Sequence, residues 1–379
     1  MKLKWLRGHS EKIVQRGRPF IAFQIEPTTR CQLKCVMCPK PVYTDDWLIG
    51  DMSLSVYEKI SRYFHLVQNI HLQGWGEPLL HSNLFDMIQI AKSENCRTSL
   101  TTNGVLLSHD MSEELIRKGV DTVAISIAGA MSTTHENIRR GSHFEQLIDN
   151  IRILANLKCK MRSKTPLLVL SFLMTKTNIE ELAEAVSLAK DMGINEFVAT
   201  NLDYVPTKAQ DDMKIFSCNK ADINFKNHIY IAKKRAHKLK MPFRDYQLEL
   251  EEVIVCEMNP LHIVALSFDG CISPCIYLNI PSRSLISRIF CGKHHEIERQ
   301  CFGNLEKNDF MEIWTSTAYE NVRKAYQDRL NILKKVYSDI GFEMGTFHNL
   351  SDIEKSMESE LLENPMPEIC RSCYKAYHI

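Results

Sequence analysis

Residues 28–39 read TTRCQLKCVMCP and bring Cys31, Cys35 and Cys38 together on one short segment. Three thiolates spaced C-x3-C-x2-C can ligate three corners of a cubane iron–sulfur cluster and leave its fourth iron open. A structural zinc ion normally takes a complete tetrahedral set, and no fourth cysteine or histidine follows at a matching distance. Unliganded neighbouring thiols are disfavoured because thiolates repel one another and oxidise. The spacing therefore predicts a [4Fe–4S] cluster.

Short apolar runs alternate with longer amphipathic segments on both sides of this loop, from about residue 20 to residue 200. Most runs are near-continuously apolar, which predicts strands buried on both faces of a parallel sheet. Repeated strand–helix units predict an α/β fold, a partial (β/α)6 barrel with its chemistry on the loops after the strands. An open doubly wound sheet is the alternative. The predicted strands are Phe20–Glu26, Asn69–Gln73, Arg97–Thr102, Thr122–Ile127, Leu167–Met174 and Glu196–Thr200. The predicted helices are Leu54–Phe64, Asn83–Ser93, Ser112–Lys118 (with Ser112 as its N-cap), Phe144–Leu157, Ile179–Met192 and Ala221–Leu239.

The bulk composition excludes some classes of function. The 379 residues include 47 Lys and Arg against 46 Asp and Glu, and a formal net charge of +1 gives no general attraction to nucleic acid or to an anionic membrane. The N-terminus lacks the apolar core of a secretory signal, and no apolar run could span a bilayer, so we expect a cytoplasmic protein. Thirteen cysteines in that compartment fit metal or cluster binding better than a disulfide framework.

The pattern changes after about residue 240, where cysteines become denser. His262–Phe268 and Cys271–Leu278, separated by Asp269-Gly270, predict a β-hairpin. We therefore expect a first domain over residues 1–240 and a second over residues 241–379.

Four cysteines of the second region form two pairs. Cys256 and Cys275 follow the pattern C-x13-G-x4-C across the hairpin, and Cys370 and Cys373 form a C-x2-C pair near the end of the chain. Two such pairs are chemically sound ligands for a zinc ion. Cys96 and Cys159 are interpreted as buried small hydrophobic residues.

The C-x3-C-x2-C loop after the first strand of a βα repeat resembles the signature of the radical S-adenosylmethionine (SAM) enzymes, and the resemblance covers nearly the whole chain. In that family the open iron holds the amino and carboxylate groups of SAM. Reductive cleavage then gives methionine and a 5′-deoxyadenosyl radical that abstracts hydrogen from a substrate. The resemblance implies that Cys31, Cys35 and Cys38 bind this cluster and that a flavodoxin- or ferredoxin-type protein supplies the electron.

Segments after the next strands resemble the SAM-contacting motifs of the family. Gly74-Trp75-Gly76-Glu77-Pro78 resembles Gly-Gly-Glu-Pro, whose acid meets the SAM ammonium. Thr101-Thr102-Asn103-Gly104 resembles Thr-Asn-Gly, and Ser126-Ile127-Ala128-Gly129 resembles Ser-Ile-Asp-Gly with alanine in place of the acid. Arg139 stands where relatives pair an arginine with the methionyl carboxylate, the alternative being a solvated arginine beside Arg140. The implied SAM-binding residues are Gly74, Gly76, Glu77, Pro78, Thr102, Asn103, Ser126 and Arg139.

The C-terminal region resembles the SPASM domain in its shortened "twitch" form. The resemblance implies one auxiliary [4Fe–4S] cluster ligated by Cys256, Cys275, Cys370 and Cys373. A complete SPASM domain has further cysteines and two clusters, whereas this chain ends six residues after Cys373, so we expect one. Cys271 is an alternative to Cys275 as a ligand. The sequence assigns no role to Cys218, Cys291 and Cys301.

An auxiliary cluster that accepts the electron left after hydrogen abstraction implies an oxidoreductase. Relatives with this arrangement oxidise aminocyclitol alcohols, mature sulfatases or modify ribosomal peptides. Only about 20 residues precede the first strand, too few for a leader-peptide domain, so we expect a small polar, carbohydrate-like substrate. A peptide side chain is the alternative, followed by RNA, which the near-neutral charge disfavours, and by a non-catalytic metal-binding scaffold. No residue is assigned as the catalytic base.

Overall fold

The computed structural model describes residues 17–340, 357 and 359–379. Residues 325–369 are polar and are predicted from the sequence to be helical or loop-like. Part of this segment, like the first 16 residues, lies outside the described residues. The strands are β1 Phe20–Ile25, β2 Val67–Leu72, β3 Arg97–Thr102, β4 Thr122–Ile127, β5 Leu167–Met174, β6 Glu196–Asn201, β7 Phe243–Asp245, β8 Ile263–Leu266, β9 Ile272–Ser273, β10 Ile286–Phe290 and β11 Lys293–Ile297. The helices are α1 Pro39–Val42, α2 Leu54–Ser61, α3 Leu84–Ser93, α4 His109–Arg117, α5 Ser132–Ile138, α6 Phe144–Lys160, α7 Leu182–Asp191, α8 Lys208–Met213, α9 Ile223–Lys238, α10 Phe310–Trp314 and α11 Thr317–Ile340.

Strands β1 to β6 lie side by side in chain order, and every neighbouring pair is parallel. A doubly wound sheet would instead reverse its direction of winding partway along the sheet. The unidirectional order confirms the partial (β/α)6 barrel and rules out the alternative. It also brings the loops after all six strands to one rim of the barrel.

The two faces of the barrel strands differ in burial. On β2, Ile70 and Leu72 are fully buried in the main core, while Asn69 and His71 between them are half-buried. Strands β3 and β4 alternate in the same way. The prediction of strands buried on both faces is therefore wrong for these three strands. A barrel of six strands is open on its inner face, so polar side chains can occupy that face.

The C-terminal region extends the barrel sheet at both edges. Strand β7 pairs in parallel with β6, and β8 pairs in parallel with β1. β8 and β9 form the predicted hairpin, with Gly270 at a φ of +82° in its turn. The second hairpin, β10–β11, is attached to the loop after β6 by a hydrogen bond from the Ile289 N–H to the Val205 carbonyl (2.7 Å). The C-terminal region is thereby fixed beside the barrel rim.

Helix boundaries follow local capping chemistry. Gly119 and Gly193 end α4 and α7 with φ of +68° and +80°, which only glycine adopts without strain. The N-cap of α4 is Ser108, whose hydroxyl accepts a hydrogen bond from Met111 N–H, and not Ser112 as predicted. None of the described helices combines the length and the apolar character needed to cross a membrane.

Candidate functional site

The loop of Cys31, Cys35 and Cys38 follows β1 and is held by backbone hydrogen bonds. Lys34 and Val36 donate to the carbonyls of Arg140 and Ile138 at the end of α5, each at 2.9 Å. Backbone contacts within the protein thus hold the loop against the end of α5.

The three thiols of this loop share one partly buried environment. Burial, with smaller contributions from the charges of Cys35 and Cys31, raises the pKa of Cys38 to about 12. Burial also raises the pKa of Cys31, with added contributions from Glu77 and Cys35. Such mutual influence requires the sulfur atoms to be close together. No three His, Cys, Asp or Glu side chains in the described ranges form a site for a single metal ion. Cubane ligands each bind a different iron, so their sulfurs stand further apart than the ligands of one ion.

Glu77 links the ends of β2 and β3. Its carboxylate accepts hydrogen bonds from the Thr102 hydroxyl (2.7 Å) and from the Asn103 backbone N–H (2.7 Å). Burial raises the pKa of Glu77 to about 7, against the opposing effect of these hydrogen bonds and of Arg139. Two motifs that lie 25 residues apart in sequence therefore meet at one carboxyl group.

Gly76 is required by close packing against the cysteine loop. A Cβ atom there would lie 2.1 Å from the Thr28 carbonyl oxygen and 2.7 Å from that of Arg30. The Glu77 N–H donates to the same Arg30 carbonyl at 2.8 Å. Pro78 begins the short 3-10 turn that follows, Pro78–Leu80.

We expect Gly76→Ala to destabilise the fold by about 3 kcal/mol or more, because the clash is with backbone rather than with a movable side chain. Denaturant unfolding measures the effect. The control is Gly292→Ala, where a Cβ meets nothing within 4 Å and only the φ of +75° opposes the change. Its expected cost is about 1–2 kcal/mol. Equal losses in the two variants would contradict the close-packing explanation.

Arg139 faces the cysteine loop rather than solvent. Burial raises the pKa of the Cys35 thiol, and the Arg139 guanidinium opposes that rise by charge and by a hydrogen bond. The Nε of Arg139 is buried and has no hydrogen-bond partner within the described residues, whereas Arg140 is exposed. The geometry does not match that of a solvated surface arginine.

Asn103 contacts the cysteine loop, whereas Ser126 does not bond to the polar groups beside it. The Asn103 side-chain amide lies 3.7 Å from the Cys31 sulfur. Ser126 is half-buried on β4 opposite Ser171 of β5, and forms no hydrogen bond with Glu77 or Arg139. The backbone of Ala128 is occupied by His135 and Asn178, so this end of β4 is satisfied without the acid usual in the motif.

Sequence reasoning did not identify the polar inner face of the barrel. The His71 ring bonds to the Ser99 hydroxyl (2.7 Å) and to Gln73 Oε1 (2.5 Å), which also accepts from the Thr101 hydroxyl (2.8 Å). Nearby Glu26 accepts from Trp75 N–H at 2.7 Å, and burial raises its pKa to about 7. Polar residues at every second position of β2 and β3 were the available signal.

The second cysteine set is also brought together. Cys256 is buried, and its pKa is raised by burial and then by the charges of Cys370, Cys275 and Cys373. The far end of the chain returns to Cys256 through backbone hydrogen bonds, from Val253 N–H to the Ala376 carbonyl and from Glu251 N–H to the Tyr377 carbonyl, each 3.1 Å.

The remaining cysteines correct two expectations. Disulfides join Cys218 to Cys291 and Cys271 to Cys301, across 73 and 30 residues. The expectation that the cysteines form no disulfides is wrong for these four, because the fold brings distant positions together. Cys271 is therefore not available as a cluster ligand. Cys159, interpreted as buried, is exposed on α6.

Two family models match the chain. One, described as the radical SAM superfamily, matches residues 25–189. The other, SPASM, described as an iron–sulfur cluster-binding domain, matches residues 256–335. The first match covers the loop after β1, and the second covers Cys256 and Cys275 but ends before Cys370.

Curated relatives resemble most of the chain. The tungsten-containing aldehyde ferredoxin oxidoreductase cofactor-modifying protein of Pyrococcus furiosus is 26% identical over 301 residues, covering 78% of this chain and 81% of that protein. A probable GTP 3′,8-cyclase of Methanocaldococcus jannaschii is 26% identical over 271 residues, covering 69% of this chain and 86% of that protein.

Solved structures share the fold. Streptococcus suis SuiB bound to S-adenosylmethionine is 16% identical with a TM-score of 0.57, covering 80% of this chain and 67% of SuiB. The structure of anSMEcpe with bound AdoMet is 15% identical with a TM-score of 0.57, covering 81% of this chain and 83% of that one.

Proposed function

We propose that this chain, a radical SAM enzyme with a C-terminal SPASM domain, oxidises a small polar substrate by two electrons. An auxiliary cluster is the proposed electron acceptor. When bound and reduced, the SAM cluster supplies the electron that cleaves SAM into methionine and a hydrogen-abstracting 5′-deoxyadenosyl radical. The observation that carries the proposal is the convergence of four C-terminal cysteines beside the barrel rim.

We assign Cys31, Cys35 and Cys38 as ligands of the SAM cluster. The neighbouring polar groups suit the charged ends of SAM: the Glu77 carboxyl suits its ammonium, and Arg139 suits its carboxylate. The Nε of Arg139, which is buried and has no acceptor among the residues that the structure describes, supports this, because a buried donor without an acceptor is costly. The remaining proposed contacts are Gly74, Gly76, Pro78, Thr102, Asn103 and Ser126.

Arg139→Ala is expected to weaken SAM binding by about 1.5–3 kcal/mol, the usual contribution of a hydrogen bond to a charged group. Calorimetric titration of the anaerobically reconstituted protein with SAM measures the change. Arg140→Ala is the matched control, because Arg140 is the exposed neighbour on the same loop. An unchanged dissociation constant in Arg139→Ala would contradict the assignment of Arg139 to SAM binding.

We assign Cys256, Cys275, Cys370 and Cys373 to one auxiliary [4Fe–4S] cluster. Four protein ligands leave no open iron, which favours electron transfer over direct substrate binding. The site is linked to the barrel rim through Lys375, whose ammonium lies 2.7 Å from Asp203 in the loop after β6 and which also pairs with Glu257 beside Cys256. An electron acceptor held at the rim is suitably placed for a substrate oxidised there.

We propose that the barrel domain comprises residues 1–240 and the auxiliary-cluster domain residues 241–379. Strands β7 and β8 from the second region are hydrogen-bonded to the barrel sheet, so the two domains share one sheet. This continuity supports a fixed rather than a swinging relation between the two clusters.

The proposed substrate is a small polar molecule, bound over the inner face formed by His71, Gln73, Ser99 and Thr101. These groups offer neutral donors and acceptors that suit hydroxyl groups. The names of two curated relatives, a cofactor-modifying protein and a probable GTP 3′,8-cyclase, refer to a cofactor and to a nucleotide. A peptide side chain is the second candidate, since SuiB and anSMEcpe have been solved with peptides bound. A flavodoxin- or ferredoxin-type protein is the proposed electron donor.

Product analysis under anaerobic conditions tests the proposal. The reduced protein is supplied with SAM and either the low-molecular-weight filtrate or the peptide fraction of a cell extract. We expect the filtrate to stimulate 5′-deoxyadenosine formation and to yield a product lacking two hydrogens. Stimulation by peptides alone would favour the second candidate, and a product at the oxidation level of its substrate would contradict the oxidoreductase assignment.

A further inference from the structure

Arg288 on β10 bridges two of the segments that carry the C-terminal cysteines. It is 3% exposed. One guanidinium nitrogen donates to the Tyr277 carbonyl at 2.6 Å, and the other donates to the Ile369 carbonyl at 3.0 Å. Tyr277 is two residues after Cys275, and Ile369 immediately precedes Cys370. A single side chain from strand β10 therefore holds these two segments together.

The charge of Arg288 has no carboxylate partner in the described part of the chain. Two other buried cations near the cysteines are paired: Arg329 with Glu252 at 2.8 Å, and Lys375 with Asp203 and Glu257. Burying an unpaired cation costs several kcal/mol, and neutral carbonyl acceptors offset only part of that cost. Arg288 is therefore expected to face an anion when the protein is complete.

Cys275 and Cys370 are the groups near Arg288 that become anionic when they ligate a cluster, since Arg288 bonds to the carbonyls of residues beside both of them. Arg288 lies close enough to Cys370 and Cys275 for its charge to act on both sulfur atoms. A cubane with four thiolate ligands carries net negative charge and gains one more charge on reduction. A fixed cation beside it stabilises the reduced form more than the oxidised form, because the charge that it faces is larger.

We infer that Arg288 is the counter-cation of the auxiliary cluster: it positions the ligand segments and raises the reduction potential of the cluster. This inference rests on the proposed auxiliary-cluster function. Arg288 acts through the cluster and is a positioning residue, not a catalytic one. Its charge makes the cluster a better acceptor for the substrate electron.

The test is a redox titration, monitored by electron paramagnetic resonance, of the full chain carrying alanine at positions 31, 35 and 38. These replacements leave the auxiliary cluster as the one assigned cubane. At the potential that half-reduces this reference protein, we expect Arg288→Gln to lower the ratio of reduced to oxidised cluster at least about tenfold, equivalent to a shift of about 59 mV. Arg288→Lys keeps the charge and is expected to remain near the reference.

Arg329→Gln is the matched control, because Arg329 is equally buried and clamps the Cys256 segment through the Ile254 carbonyl but is paired with Glu252. The Arg329→Gln protein should contain less iron per chain than the reference protein. The auxiliary clusters that it does bind should keep the reduction potential of the reference. An unchanged potential in Arg288→Gln overturns the inference, whereas zinc in the reference protein refutes the auxiliary-cluster function itself.

Arg288→Gln could fail to bind any cluster. In that case the thermal unfolding temperatures of the cluster-free variant and the cluster-free reference protein are compared. If the cluster-free variant unfolds at the temperature of the cluster-free reference, its failure to load supports the counter-cation role. If the cluster-free variant is itself unfolded, Arg288 is only a structural clamp and the inference is overturned.

Discussion

Replacing Cys31, Cys35 and Cys38 together with alanine is expected to abolish the cleavage of SAM to 5′-deoxyadenosine by the reduced, reconstituted protein. The loop after β1 carries no other cysteine. The remaining free cysteines of the described ranges either belong to the C-terminal set or are Cys96 and Cys159, which lie outside this loop. No other thiol is therefore positioned to replace the missing ligands.

The triple variant is expected to keep its fold and its second cluster. The loop is anchored by backbone hydrogen bonds from Lys34 and Val36 to the end of α5, and the Gln210 amide donates to the Val36 carbonyl at 3.1 Å. None of these contacts uses a cysteine side chain. The loss of activity should therefore occur without global unfolding.

Iron analysis and product analysis together check this prediction. Wild type should hold about eight irons per chain and the triple variant about four, one cubane having been lost. Cys159→Ala is the control, since Cys159 is exposed on α6, and it should keep both clusters and full activity. Continued formation of 5′-deoxyadenosine by the triple variant would contradict the ligand assignment.

The barrel could be predicted from sequence because its signals are local. Strands β3, β4 and β5 begin and end at the predicted residues, since short runs rich in β-branched or apolar residues define them without reference to partners. Helix α4 was placed three residues late because Ser108 and Ser112 are equally good caps in isolation. Only the packing of the helix decides between them.

The features that could not be predicted depend on contacts between distant residues. The two disulfides, the Arg288 bridge and the buried Arg329 all join segments that are unrelated in spacing. The burial of Glu26 depends on the approach of Gly74, whose Cβ would lie 2.2 Å from the Glu26 Cγ. The pattern of apolar and polar residues within one segment does not predict contacts with such distant residues.

Replacing Cys370 and Cys373 together with alanine is expected to separate SAM cleavage from substrate oxidation. These two cysteines lie beyond the SPASM match, which ends at residue 335, so their assignment depends on the fold. The structure brings them to Cys256 and Cys275, both of which lie within reach of the charges of Cys370 and Cys373. Two ligands lost from one cubane should prevent its assembly, because only two thiolates would remain to hold four irons.

Iron content should fall from about eight to about four per chain, with 5′-deoxyadenosine still formed but without the oxidised product. The C-terminal segment should also become more sensitive to proteolysis, because the cluster links it to the hairpin region. A double alanine variant at Cys218 and Cys291 is the matched control. It removes two cysteines bonded to each other, and its iron content should stay at the wild-type level.

A zinc ion, a third cluster or another route for the substrate electron would each give a different result in the metal and product analysis. Zinc in place of the second iron complement would refute the redox role, because zinc cannot accept an electron. About twelve irons in wild type would require a third cubane, and its ligands would have to include cysteines that the structure pairs as disulfides. Oxidised product from the Cys370 and Cys373 variant would show that the substrate electron leaves by another route. The assigned ligands could then be correct while the auxiliary cluster serves only to join the C-terminal segment to the hairpin region.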